Sequence, residues 1–177
     1  MKKTITNITI IATFLIIYLL QANFFTWFNI AGIKPNLFVI LVLYIALFTN
    51  RSMGLTYGVI FGLILDLLIG RKIGVSAIML GLIGLIGTVF DKNFSKDSRM
   101  TIMIMVIGCT IIYEIGTYII NYILQGTNVE MLSFAKILLV EVAYNTILTI
   151  ILYPVIQKTG YNIEEQYKGN KILTRYF

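Results

Sequence analysis

The chain has 177 residues, 58% of them hydrophobic and 12% charged, with a formal net charge of +6 and no histidine. A soluble domain carries about 25% charged residues, so this composition describes an integral membrane domain and leaves no stretch for a soluble one. The absence of histidine excludes imidazole proton shuttles, Ser-His triads and His-based metal sites.

The apolar pattern predicts an all-α fold of six transmembrane helices in a single domain, 1–177. The spans fall at about 4–28, 36–49, 53–70, 73–90, 100–124 and 134–157, with 158–177 a cytoplasmic tail. MKK followed by a long apolar stretch mimics a signal peptide, but QANFFTWFN offers no small-residue cleavage site, so the first span reads as retained. The second span is the short one. Its uninterrupted apolar part, 37–48, covers about 18 Å at 1.5 Å per residue, against a hydrocarbon core of about 30 Å. It therefore needs its flanks, tilted neighbours or local thinning to cross. Pro154, near the end of span six, reads as a helix terminator.

Charge decides whether span two is counted. With six spans and a cytoplasmic N-terminus, Lys2, Lys3, Arg51, Lys92, Lys96, Arg99, Lys158, Lys168, Lys171 and Arg175 lie inside, and Lys34, Arg71, Lys72 and Lys136 outside. Omitting span two reverses this asymmetry, so the positive-inside rule favours six spans with both termini cytoplasmic. The same rule accounts for the basic charge as membrane orientation, with no nucleic-acid partner.

Span three, GLTYGVIFGLILDLLIG, places Gly54, Gly58, Gly62, Asp66 and Gly70 four residues apart, hence on one helical ridge. Glycine is costly inside a helix unless something uses it, and in membranes small residues allow close helix approach. Span four has its own small face, Ala77, Gly81, Gly84 and Thr88. The ridge therefore packs either against span four or against a partner helix. Pro35-Asn36 opens span two, where proline suits a first turn and asparagine a cap or local hydrogen bond.

Three carboxylates lie within spans: Asp66, Glu114 and Glu141. In span five, Thr110, Glu114, Thr117, Tyr118, Asn121 and Gln125 share a face. In span six, Glu141, Asn145, Thr149 and Tyr153 repeat every four residues. Polar stripes belong in the bundle interior or a water-filled cavity, and interhelical hydrogen bonding is their simplest use. The outer-side cations Lys34, Arg71, Lys72 and Lys136 are the expected charge partners. No catalytic constellation, phosphate cradle, metal-ligand cluster or cofactor motif is present in the sequence.

The segment KPNLFVILVLYIALFTNRSMGLTYGVIFGLILDLLIGRKIGVSA resembles the signature region of MreD, the rod shape-determining membrane protein family. Pro35-Asn36-Leu37, then Gly58, Gly62 and Asp66, then Gly70 and Gly74 carry the resemblance. It implies a non-enzymatic protein of the bacterial cytoplasmic membrane that binds MreC, with MreB, RodA and a class B transpeptidase in the wider complex for lateral peptidoglycan synthesis. Self-association is compatible with it. It also implies similarity in fold to the substrate-binding subunits of energy-coupling-factor transporters. A solute-binding subunit of that kind is the alternative, opposed by the missing Ala-x-x-x-Ala stripe in span one, where Ile16 follows Ala12 and Thr26 follows Ala22. A lipid-precursor flippase is the third reading, supported by the polar interior alone.

Overall fold

Leu37–Phe48 is apolar at every position, and a helix that is apolar all round has no face to offer water. In the computed structural model, which describes residues 2–69, 73–93, 96, 98–125 and 130–168, this helix is the axis of the bundle. Helix α1 (Lys2–Leu19) runs through a π-helical segment, Leu20–Phe24, into a last turn, α2 (Phe25–Trp27). Then follow α3 (Leu37–Phe48), α4 (Arg51–Ile69), α5 (Val75–Asn93), α6 (Arg99–Gln125) and α7 (Met131–Lys168). Counting α1, the π segment and α2 as one span gives six helices. Among the described residues the only β-type pairing is an isolated bridge between Ile30 and Ile33.

Four stretches are long and apolar enough to cross a membrane: Thr4–Trp27, Arg51–Ile69, Arg99–Leu124 and Met131–Tyr167. Helices α3 and α5 supply shorter apolar stretches. Helix α3 touches α1, α4, α5, α6 and α7, and every one of its residues is buried except the partly exposed Leu41. Its shortness is therefore met by enclosure within longer helices, and its core-facing environment is protein on almost all sides. The large apolar side chains on the outside of the ring, such as Ile8, Leu15, Leu67, Ile104, Leu139 and Ile151, form the surface suited to lipid. Trp27, 87% exposed at the end of α2, suits the membrane–water interface.

The start of α1 and the end of α7 meet at one end of the bundle, called here the terminal end. The Thr6 hydroxyl donates to Gln166 Oε1, and the Tyr167 hydroxyl to Asn7 Oδ1. Helix α7 does not stop at Pro154, and the expected tail is helical as far as Lys168. Proline removes one backbone bond, to the carbonyl four residues earlier. Contacts beyond it hold the next turns in place. A β-carbon on Gly160 would stand 2.6 Å from the Phe48 ring, and Tyr161 meets that ring edge-on at 5.6 Å between centroids.

Lys96 gathers the same end together. Its ammonium pairs with Asp91 at 2.9 Å and Glu164 at 2.5 Å. It also donates to the Leu47 carbonyl at 3.3 Å and lies 4.9 Å from the Phe48 ring centroid. Gln157 Nε2 donates to the Lys96 carbonyl at 2.6 Å. A single cation thus pairs with two carboxylates and also engages a carbonyl in the last turn of α3.

Ala46 sits where α3, α4 and α5 approach closely. β-Carbons built on Gly54 of α4 and Gly87 of α5 would lie 2.9 and 2.6 Å from the Ala46 β-carbon. Ala46→Leu should lower stability by at least about 1–3 kcal/mol through overpacking, whereas Leu41→Ala should cost less than truncating the fully buried Leu43. Unfolding of the detergent-solubilised protein checks both orders.

Candidate functional site: capped helix starts at the far end

The glycine ridge puts α4 and α5 in backbone contact. A β-carbon on Gly58 would lie 2.4 Å from the Leu80 carbonyl oxygen, and one on Gly62 would lie 2.4 Å from Ala77 Cα and 2.5 Å from the Ser76 carbonyl oxygen. Further along, a β-carbon on Gly84 would be 2.2 Å from the Gly54 carbonyl oxygen. Gly54, Gly58 and Gly62 thus face Ala77, Leu80, Gly81 and Gly84 within the chain. Gly70, the last ridge position, lies outside the described residues, as do Arg71 and Lys72.

That approach carries Asp66 to the start of α5. Asp66 is 1% exposed. Its Oδ2 accepts from the Gly74 amide at 2.8 Å, both oxygens accept from Ser76 N–H at 3.2 Å, and Oδ2 also meets Ala77 N–H at 3.4 Å. The Gly74 carbonyl accepts the first helical bond, from Ile78 N–H at 2.9 Å, so Gly74 is the N-cap residue. Asp66 therefore does from a neighbouring helix what a capping side chain does from its own, and its charge sits at the favourable pole of the α5 dipole. Gly74 has φ +107°, with open space where a side chain would go. Glycine is required there by backbone conformation and not by crowding.

The start of α3 is held in the same manner. Gln21 Nε2 donates to the Pro35 carbonyl at 2.8 Å, while its Oε1 accepts from Leu37 N–H at 3.3 Å. Asn36 N–H donates to Asn145 Oδ1 at 2.8 Å, and Asn145 Nδ2 donates to Thr110 Oγ1 at 3.1 Å. Asn36 makes no side-chain cap, and the helix begins one residue after it, so the expected capping role passes to Gln21 in the π-helical segment. The Asn36 and Ser76 side chains both lie beside the Tyr113 hydroxyl. The first residues of α3 and α5 thus share one polar layer with the π-helical segment, α6 and α7.

Glu114 and Glu141 lie close enough to Tyr113 to act on it electrostatically. Glu141 and Asn145 are buried, whereas Glu114, Thr117 and Asn121 are partly buried along α6. Thr117 Oγ1 is enclosed with no hydrogen-bond partner among the described residues. Of the expected outer cations, Lys34 donates to Thr26 Oγ1 at 2.9 Å, and the Asp66 contacts described here are backbone amides. Among the described residues no group of three or more Cys, Asp or Glu side chains could hold a metal.

Gln21, Ser76, Tyr113 and the Lys96 cluster were not singled out by the sequence. A glutamine two residues before Asn23 in the apolar first span was the available signal for Gln21. The π-helical segment that begins at Leu20 and contains it leaves no periodic trace.

These features define a multi-pass helical membrane protein whose interior polar side chains fasten helix ends. The chain belongs to the family of the rod shape-determining protein MreD, whose family model matches residues 1–159. No curated protein and no solved structure matches it. The Pro35–Gly74 residues that resemble the family signature supply the close α4–α5 contact, the capping carboxylate and the turn glycine.

Replacing Asp66 by leucine strands amide donors in the interior, at about 1–3 kcal/mol each, so Asp66→Leu should destabilise far more than Asp66→Asn, which keeps an acceptor. Gly74→Ala should cost about 1–3 kcal/mol through backbone strain. Unfolding midpoints of the purified variants rank the three, and equal losses for Asn and Leu at position 66 would contradict the capping assignment.

Proposed function

We propose that this protein is a non-enzymatic scaffold of the rod-shape machinery in the bacterial cytoplasmic membrane, with its terminal end in the cytoplasm, and that it binds MreC. Its role in rod shape determination follows from the family. The observation that best supports a scaffold is the use of the interior polar groups. Asp66, Gln21 and Asn145 are committed to backbone atoms at helix starts, an arrangement that builds a rigid frame and presents no nucleophile–base pair. The charge asymmetry of the loops supports the orientation. The wider partners MreB, RodA and a class B transpeptidase, lateral peptidoglycan synthesis and self-association belong to the same proposal. So does likeness in fold to the substrate-binding subunits of energy-coupling-factor transporters, which rests on the family and the six helices.

Because the glycine ridge is occupied by α5, an MreC contact falls on another surface, and ridge variants act on it through the frame. Co-expressed with MreC in a rod-shaped host that depends on this chain, Gly58→Leu should reduce chain abundance and recovered MreC in parallel. Asp66→Asn should weaken the complex and cell shape together, and only modestly. An intact MreC complex in misshapen Asp66→Asn cells would contradict the scaffold and favour the solute-binding or flippase reading.

A further inference from the structure

The family match ends at residue 159, but α7 continues to Lys168. The extra turns cross the terminal end and join three parts of the bundle. Gly160 and Tyr161 press on Phe48 at the end of α3. Glu164 pairs with Lys96 in the α5–α6 connection. Gln166 and the buried Tyr167 bond Thr6 and Asn7 at the start of α1.

Helix α1 is otherwise held sparingly. Only 17% of its apolar stretch is buried. Its middle is anchored by Phe14, stacked on Phe61 at 4.3 Å and tilted against Phe38 at 5.5 Å. Towards the far end, Gln21 hooks onto Pro35 and Leu37 from within the π-helical segment. Such segments mark positions where a helix gives way.

We propose that residues 160–168 are a latch on α1. Closed, they pin the start of α1 to the bundle. Released, they let α1 swing about its Gln21 hook and open the seam between α1 and α7. Helix α3 shows where that seam lies. Phe38 faces Phe14 of α1, while Phe48 faces Gly160 and Tyr161 of α7 and is stacked on Tyr44. Leu41 is three residues from both Phe38 and Tyr44, so it points between the α1 and α7 sectors. It is also the one α3 residue that is only partly buried.

The ionic pin is built to release at Glu164. The Glu164 side chain is 24% exposed and can be rehydrated, whereas Lys96 is 11% exposed. When Glu164 leaves, Lys96 keeps Asp91, the Leu47 carbonyl and the Phe48 ring. Opening therefore strands no buried cation, the event that makes breaking an interior ion pair costly.

Spin labels test the latch in the full chain, in lipid nanodiscs and in a Cys109→Ser background. Thr9→Cys with Ser52→Cys reports α1 against α4. Ser52→Cys with Val89→Cys reports α4 against α5 as a control. The unmodified latch should give a single narrow α1–α4 distance. Glu164→Gln, and separately Tyr167→Phe with Gln166→Ala, should add a second, longer population while the α4–α5 distance stays unchanged. An unchanged α1–α4 distance in both variants would overturn the latch. So would a shift of the control pair, because these residues would then be holding the bundle as a whole.

Discussion

The structure depends on enclosing a helix too short to cross a membrane. A 12-residue apolar helix spans about 18 Å, and its unpaired backbone groups at either end would face hydrocarbon if it stood among lipids. Here those ends are met by side chains from other elements. Gln21 and Asn145 bind the start of α3, and Lys96 approaches its last turn. The surrounding helices supply the apolar contacts that lipid would otherwise make. What reads as a hydrophobic mismatch becomes a central post within longer helices.

The glycine ridge and Asp66 are parts of one device. Only with glycine at positions 58 and 62 can α4 come so close to Leu80 and Ala77 that its carboxylate reaches the first amides of α5. The cap in turn fixes where α5 begins, and Gly74 provides the positive φ of the preceding turn. Helix α5 then fits against α3 through Gly87 and Ala46. Close packing, capping and enclosure are mutually dependent, so the family's signature region is explained as a structural frame.

Much of this frame was legible. The limits of α3 were readable because its residues are uniformly apolar between Pro35-Asn36 and Thr49-Asn50. The four-residue spacing of Gly54, Gly58 and Gly62 announced a close helix contact and left open which helix made it. The role of Asp66 was hidden. Its partners lie eight to eleven residues on, across a hairpin turn, and amide donors have no side-chain signature. The second span was read against the thickness of a bilayer, although uniform apolarity in so short a helix also signals burial in protein. Pro154 misled for a physical reason. Proline breaks one hydrogen bond, whereas the continuation of α7 is secured by contacts at Phe48, Lys96, Thr6 and Asn7 that exist only once the bundle has formed.

The central claim is that α3 is surrounded by protein, and lipid-phase labelling tests it directly. A membrane-partitioned carbene reagent, applied to the chain in bilayers and mapped by mass spectrometry, should mark outward residues such as Ile8, Leu15 and Leu139. Within 37–48 it should leave every position unmodified except Leu41. Labelling that repeats along α3 with helical periodicity would place one of its faces in lipid and contradict the account.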